Sequence, residues 1–152
     1  MPLKRRPRGP RKGWTPEAVA RQERAIGRNP WGGYNHNSLG CEFARVCSWE
    51  RAACEFERAV EINPWEGLFK VNLARAYLAL GDVGKARKMA EAALEQSPKL
   101  CAAMFALALV CEHSGRLKSA VSWYRKCLDS GPESGIRHEA EENLAILLAP
   151  RP

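Results

Sequence analysis

The sequence predicts an all-α solenoid of antiparallel helix pairs, and three observations carry that reading. Prolines stand at 30, 64, 98 and 132, thirty-four residues apart. Before each lies a stretch whose apolar residues recur three and four apart, the pattern of one helix face. The fullest stretch precedes Pro64, with Trp49, Ala52, Ala53, Phe56, Ala59, Val60 and Ile62. The stretches also agree column by column: Ala52, Ala86 and Ala120, then Ala59, Ala93 and Cys127. A fixed period of this length marks helix pairs that are too small to be stable alone and bury their apolar faces against neighbours.

Residues 1–13 hold Pro, Gly and six cations (Lys4, Arg5, Arg6, Arg8, Arg11 and Lys12) with no acid and almost nothing apolar. Such a segment cannot bury enough surface to offset its ordering entropy, so a flexible basic tail is expected before a structured domain at 14–152. Thr15-Pro16-Glu17 then reads as a helix start. Thr is an N-cap, Pro is pre-organised for the first helical position, and Glu suits the positive end of the helix dipole. That helix runs to about Arg28 and, by register, is the second helix of a pair whose first is missing, a half-repeat over 15–30.

Three full repeats follow at 33–66, 67–100 and 101–134. Their helices are expected at about 33–46 with 49–62, 67–80 with 83–96, and 101–114 with 117–130. Each is stopped by its proline, which disfavours helical backbone in the residue before it. Gly81 and Gly115 sit in two of the tight turns, where glycine adopts positive φ without steric cost. Cys47 takes the same place in the first turn, where slight strain is expected. A last helix over 135–149 brings Asn143-Leu144-Ala145 into line with Asn72-Leu73-Ala74 only after three extra residues, placed in the loop between Pro132 and Gly135. It is read as a cap, because the last repeat of an array otherwise leaves apolar surface in water.

Composition narrows the function classes. With 45% hydrophobic and 27% charged residues this is ordinary globular material. No apolar run approaches the roughly 18–20 residues of a membrane-spanning helix. No hydrophobic segment follows the basic N-terminus, so no secretory signal is read and the cytoplasm is the default compartment. Six cysteines in that setting are expected to be reduced thiols. The net charge of +7 belongs almost wholly to the tail, which leaves a body with nearly equal numbers of both signs.

The columns resemble the tetratricopeptide repeat. They read Leu39-Gly40, Phe43, Ala52, Phe56, Ala59, Pro64 in the first unit and Leu73-Ala74, Tyr77, Gly81, Ala86, Ala93, Pro98 in the second. The third reads Leu107-Ala108, Gly115, Ala120, Tyr124, Pro132, with Cys111 and Cys127 replacing an aromatic and an alanine. The early Trp of the family pattern has become His36, Lys70 and Met104. The resemblance covers about 15–149 and implies a right-handed α-solenoid of three repeats, an N-terminal half-repeat and a C-terminal capping helix.

It further implies a concave groove, lined by first helices, that holds a peptide or helix of a partner protein. By register the groove residues are Tyr34, Asn37, Leu68, Val71, Asn72, Arg75, Phe105, Leu109 and Asn143. Leu68, Val71, Phe105 and Leu109 are expected to form an apolar floor, with Asn72 and Arg75 holding a partner's backbone or carboxylate. The alternative is that the closing helix, or a second copy of the chain, covers that floor, since the first helix of the third pair is apolar nearly all round. One version of the family clamps the carboxylate of chaperone tails. Of its five positions only Asn72 matches here, the others being Asn37, Cys41, Ala102 and Ala106, so that clamp is absent.

No metal, cofactor or catalytic site is expected. Cys41, Cys47 and Cys54 are too widely spaced for a zinc pattern, and Cys111-Glu112-His113 diverge around a helix. No phosphate loop and no nucleophile with a base is present. Trp31 and Trp65, each directly after a closing proline, are read as packing their loops against the next pair. The sequence thus points to a non-catalytic adaptor. Binding of nucleic acid or an anionic surface through the tail, and a self-associating homo-oligomer, are the alternatives. Within this register Leu73→Asp places a carboxyl in the shared core. It should abolish the cooperative melt in far-UV circular dichroism, and an unchanged melt would refute the register.

Overall fold

The computed structural model describes residues 15–150; the six basic residues of the N-terminal segment lie outside the described residues. Among the described residues the elements are helices α1 (Pro16–Arg28), α2 (Gly33–Arg45), α3 (Trp49–Ile62), α4 (Gly67–Ala79), α5 (Val83–Gln96), α6 (Cys101–His113), α7 (Leu117–Asp129) and α8 (Ser134–Leu148). Pairs α2/α3, α4/α5 and α6/α7 are the full units, and each second helix packs on the first helix of the next pair. First helices also touch one another (α2 with α4, α4 with α6, α6 with α8), whereas second helices do not. One row is therefore close-set and the other splayed, which puts the first helices on the inside of a curved array.

Local chemistry starts and stops these helices. Thr15 Oγ1 accepts from the Ala18 N–H at 3.1 Å, and Pro16 needs no partner in the first turn. Asp82 Oδ1 accepts from the Lys85 N–H at 3.0 Å and caps α5 in the same way. Each first helix ends in the same two-bond lock. In the first unit Ser48 N–H donates to Phe43 O at 2.9 Å and Cys47 N–H to Ala44 O at 3.1 Å. Asp82 with Tyr77 and Gly81 with Leu78 repeat it, as do Arg116 with Cys111 and Gly115 with Glu112. This closure needs a left-handed residue just past the helix. Gly81 and Gly115 supply it at φ 84° and 71°; Cys47 supplies it at φ 59° despite its Cβ.

Within each pair the helices meet along the small columns. Ala52, Ala59, Ala86, Ala93, Ala120 and Cys127 are wholly enclosed. At Gly40 a Cβ would stand 2.6 Å from the Phe56 ring, so the smallest residue faces one of the largest. His36, at the column of the missing Trp, is buried and ties three segments together. Its Nδ1 lies 2.7 Å from Glu55 Oε2, and its Nε2 lies 3.1 Å from the Pro30 carbonyl.

The left-handed cysteine generates a stability prediction. Cys47→Gly removes a cost of about 1 kcal/mol, so the thermal midpoint should rise by about 2–4 °C for a chain of this size. A fall in the midpoint would show that the Cys47 side chain contributes more than its backbone costs.

Candidate functional site

The groove residues divide at the middle of the array. On α2 and α4 several remain open. Tyr34 and Leu68 are exposed, and Asn37, Asn72 and Arg75 are half-buried. The Tyr34 hydroxyl donates to Glu66 Oε2 at 2.9 Å, and its ring meets Phe69 edge-on at 5.0 Å, which fixes its direction across the first and second units. The Glu66 carboxylate, by accepting that bond, raises the Tyr34 phenol above its usual range. Asn72 Nδ2 donates to Asn37 Oδ1 at 2.9 Å, joining the same two units on the inner face.

On α6 and α8 the expected floor is not open. Phe105 is 3% exposed and lies against Tyr124, with ring centroids 5.7 Å apart. Val71 is buried among Ala102, Ala103 and Ala106 of the following first helix. Asn143 is buried and donates to the Tyr124 hydroxyl at 3.0 Å, which in turn donates to Glu112 Oε2 at 2.8 Å. Leu109 is half-buried against the same cores. These positions are core rather than ligand floor: α6 covers Val71 of α4, Tyr124 of α7 meets Phe105, and α8 brings Ile136 down onto the α4/α5/α6 cluster. Arg75 reaches across to α8, with Nη2 3.7 Å from Glu139 Oε2, so the carboxylate near it comes from the chain itself.

The two tryptophans correct the loop-packing expectation. Trp31 is 73% and Trp65 84% exposed. The reason is the turn geometry. Gly32 N–H donates to Asn29 O at 3.1 Å and Glu66 N–H to Asn63 O at 3.2 Å. Each proline therefore takes the second position of a four-residue turn and each Trp the third, a corner that points outward. Ser97 to Leu100 makes the third such turn, with Lys99 at the corner. The Arg58 guanidinium lies 5.9 Å from the Trp31 ring centre. Tyr34 and Leu68 follow the tryptophans by three residues, so the starts of α2 and α4 each carry an exposed Trp with a second exposed apolar side chain one turn on. The place of each Trp after a closing proline was the one signal in the sequence that could have revealed this.

The cysteines lie in three environments. Cys111 and Cys127 fill core columns, Cys41, Cys47 and Cys101 are half-buried, and Cys54 is exposed. Burial pushes the thiols of Cys41 and Cys111 up and that of Cys127 up to about 11. Among the described residues no three His, Cys, Asp or Glu side chains converge on a metal-sized site, and no helix is long and apolar enough to cross a membrane.

A family model described as tetratricopeptide repeat matches residues 39–100 and again 71–135, together well over half of the chain. No curated protein sequence matches it. Among solved structures, the chain is similar to the first TPR of Spaghetti (RPAP3) bound to the HSP90 peptide SRMEEVD. That structure is 16% identical with a TM-score of 0.66, over 76% of this chain and 89% of that one. The first TPR domain of human RPAP3 gives 17% identity and a TM-score of 0.70, over 78% and 91%. The Arabidopsis OM64 TPR domain gives 21% and 0.64, over 74% and 93%. At these identities the likeness is one of fold.

The thiol environments make a reactivity prediction. Only a thiolate attacks a disulfide reagent, so a raised pKa and burial both slow the reaction. At pH 8 the native chain should release one fast equivalent from Cys54, while Cys111 and Cys127 react only after denaturant is added. Fast labelling of Cys127 in the native chain would contradict its placement.

Proposed function

The chain belongs to the tetratricopeptide repeat family, and we propose that it is a non-catalytic protein–protein interaction module that holds a partner's peptide segment along the α2/α4 edge. The observation that carries this reading is the pair of outward tryptophans, followed one turn on by exposed Tyr34 and Leu68. Exposed apolar surface gathered in one place marks an interaction site, and Trp, Tyr and Arg dominate binding energy in such sites. From that edge the segment runs inward past Asn37 and Asn72. Side-chain amides there offer donors and acceptors to an extended backbone.

The partner's chemistry follows from what lines the path. Ala102 and Ala106 are buried and uncharged, and Arg75 already faces Glu139. A neighbour in fold holds the peptide SRMEEVD; here the matching positions lack the cations that an acidic tail needs. The segment that fits is apolar and uncharged where it meets the tryptophans, with its backbone read by the asparagines.

Peptides selected by display on the full chain test this, with affinities measured by calorimetry. Trp65→Ala and Leu68→Glu should each weaken a selected peptide by about 30-fold or more, the effect of losing a central anchor. Both should leave the unfolding free energy within about 0.5 kcal/mol, because the positions are exposed. Selected peptides that bind both variants equally would place the site elsewhere. Peptides lost only on deletion of residues 1–13, with a steep salt dependence, would move it to the basic segment.

A further inference from the structure

The two ends of the described array carry complementary halves of one unit. Helix α1 is a second helix by register, and it sits on α2 as α3 sits on α4. Val19 and Ile26 pack toward the α2/α3 core. Its other columns are Ala18, Gln22 and Ala25, aligned with Ala52, Phe56 and Ala59. In the three full units these columns are buried by the first helix of the same pair. In α1 all three are only half-buried.

Helix α8 shows the converse. It is a first helix by register, and it packs on α7 and α6. Leu144, Ala145 and Leu148 align with Leu39, Gly40 and Phe43, which the second helix of the unit buries. In α8 Ala145 is exposed, Leu148 is 53% exposed and Leu144 only half-buried. Leu144 leans on the α6/α7 core, but among the described residues no following second helix packs on this face of α8.

Charge settles what fits them. In the first unit the His36 and Glu55 columns meet, Nδ1 to Oε2 at 2.7 Å. The same two columns are Glu141 in α8 and Arg21 in α1, both exposed and of opposite sign. We propose that α8 of one copy takes α1 of a second copy as its missing second helix, so that copies join head to tail through a composite unit. Ala145 then faces Gln22, as Gly40 faces Phe56 in the first unit. Gln22 makes this seam more polar than those inside the chain, so the association depends on concentration. The two faces differ, so any joined assembly still presents one of each at its ends, and it is open-ended rather than a closed dimer. The surface is separate from the tryptophan edge and the proposal goes beyond peptide binding.

Sedimentation velocity of the full chain over a concentration series tests this, with two variants that block one face each. Ala145→Glu spoils α8 and Ala25→Glu spoils α1; Ala145 is exposed and Ala25 only half-buried in the single chain, so helical content should be unchanged. The wild-type chain should grow with concentration through dimers to longer species, and each variant alone should stay monomeric. An equimolar mixture should form a dimer and stop there, because the mixture retains one intact α8 face and one intact α1 face. A wild-type chain that is monomeric throughout overturns the proposal. So does assembly that survives either variant, or a mixture that yields no dimer.

Discussion

The close approach of the two helices in each unit is the constraint on which the rest depends. A Cβ at Gly40 would meet the Phe56 ring at 2.6 Å, and the enclosed columns at Ala52, Ala59, Ala86 and Ala93 leave no room for a larger side chain. Helices packed this tightly accept few registers, so the length of the turn between them must also be held. The repeated two-bond lock after α2, α4 and α6 holds it, even where Cys47 must take a left-handed backbone to make it. Once the pair is set, its outer surface is fixed too, and the next pair can add only in one way.

That is why so much of the fold could be read from residues alone. Columns separated by a constant period are a direct image of a contact that recurs in every unit. The helix ends were legible from proline, glycine and Thr15. What could not be read was burial that depends on a neighbour outside the unit. Val71 and Phe105 share a groove column with Asn37, and their spacing alone does not say that α6 covers one and that the other lies against Tyr124. Asn143 was assigned by its alignment with Asn72, yet here it donates into the core because Tyr124 carries a hydroxyl in reach. The tryptophans failed for the opposite reason. Their size suggested burial, whereas their position at a turn corner dictated exposure.

The inner face is consequently unequal along its length. Its α2/α4 portion keeps polar amides and exposed apolar residues, whereas its α6/α8 portion is filled by the chain's own side chains. The Arg75–Glu139 contact at 3.7 Å spans the boundary between them. Both side chains are partly solvated, and an ion pair of that kind contributes about 0–1 kcal/mol. The packing of Ile136 and Ala140, rather than this pair, is what keeps α8 in place.

The proposed peptide edge and the proposed head-to-tail joint lie on different faces, so the two would be able to act together. Joining through α8 and α1 continues the row of first helices from one copy into α2 of the next. Each copy would then keep its own Trp31, Tyr34, Trp65 and Leu68 exposed in the joined array. A partner with two suitable segments, linked by a chain long enough to span one copy, gains from the raised local concentration of the second site. A partner with one segment gains nothing. The distinction is decisive because blocking α1 with Ala25→Glu should remove the advantage of the two-segment ligand while leaving the single-segment affinity as it was. Equal loss for both ligands would mean that α1 acts on the edge itself rather than through assembly.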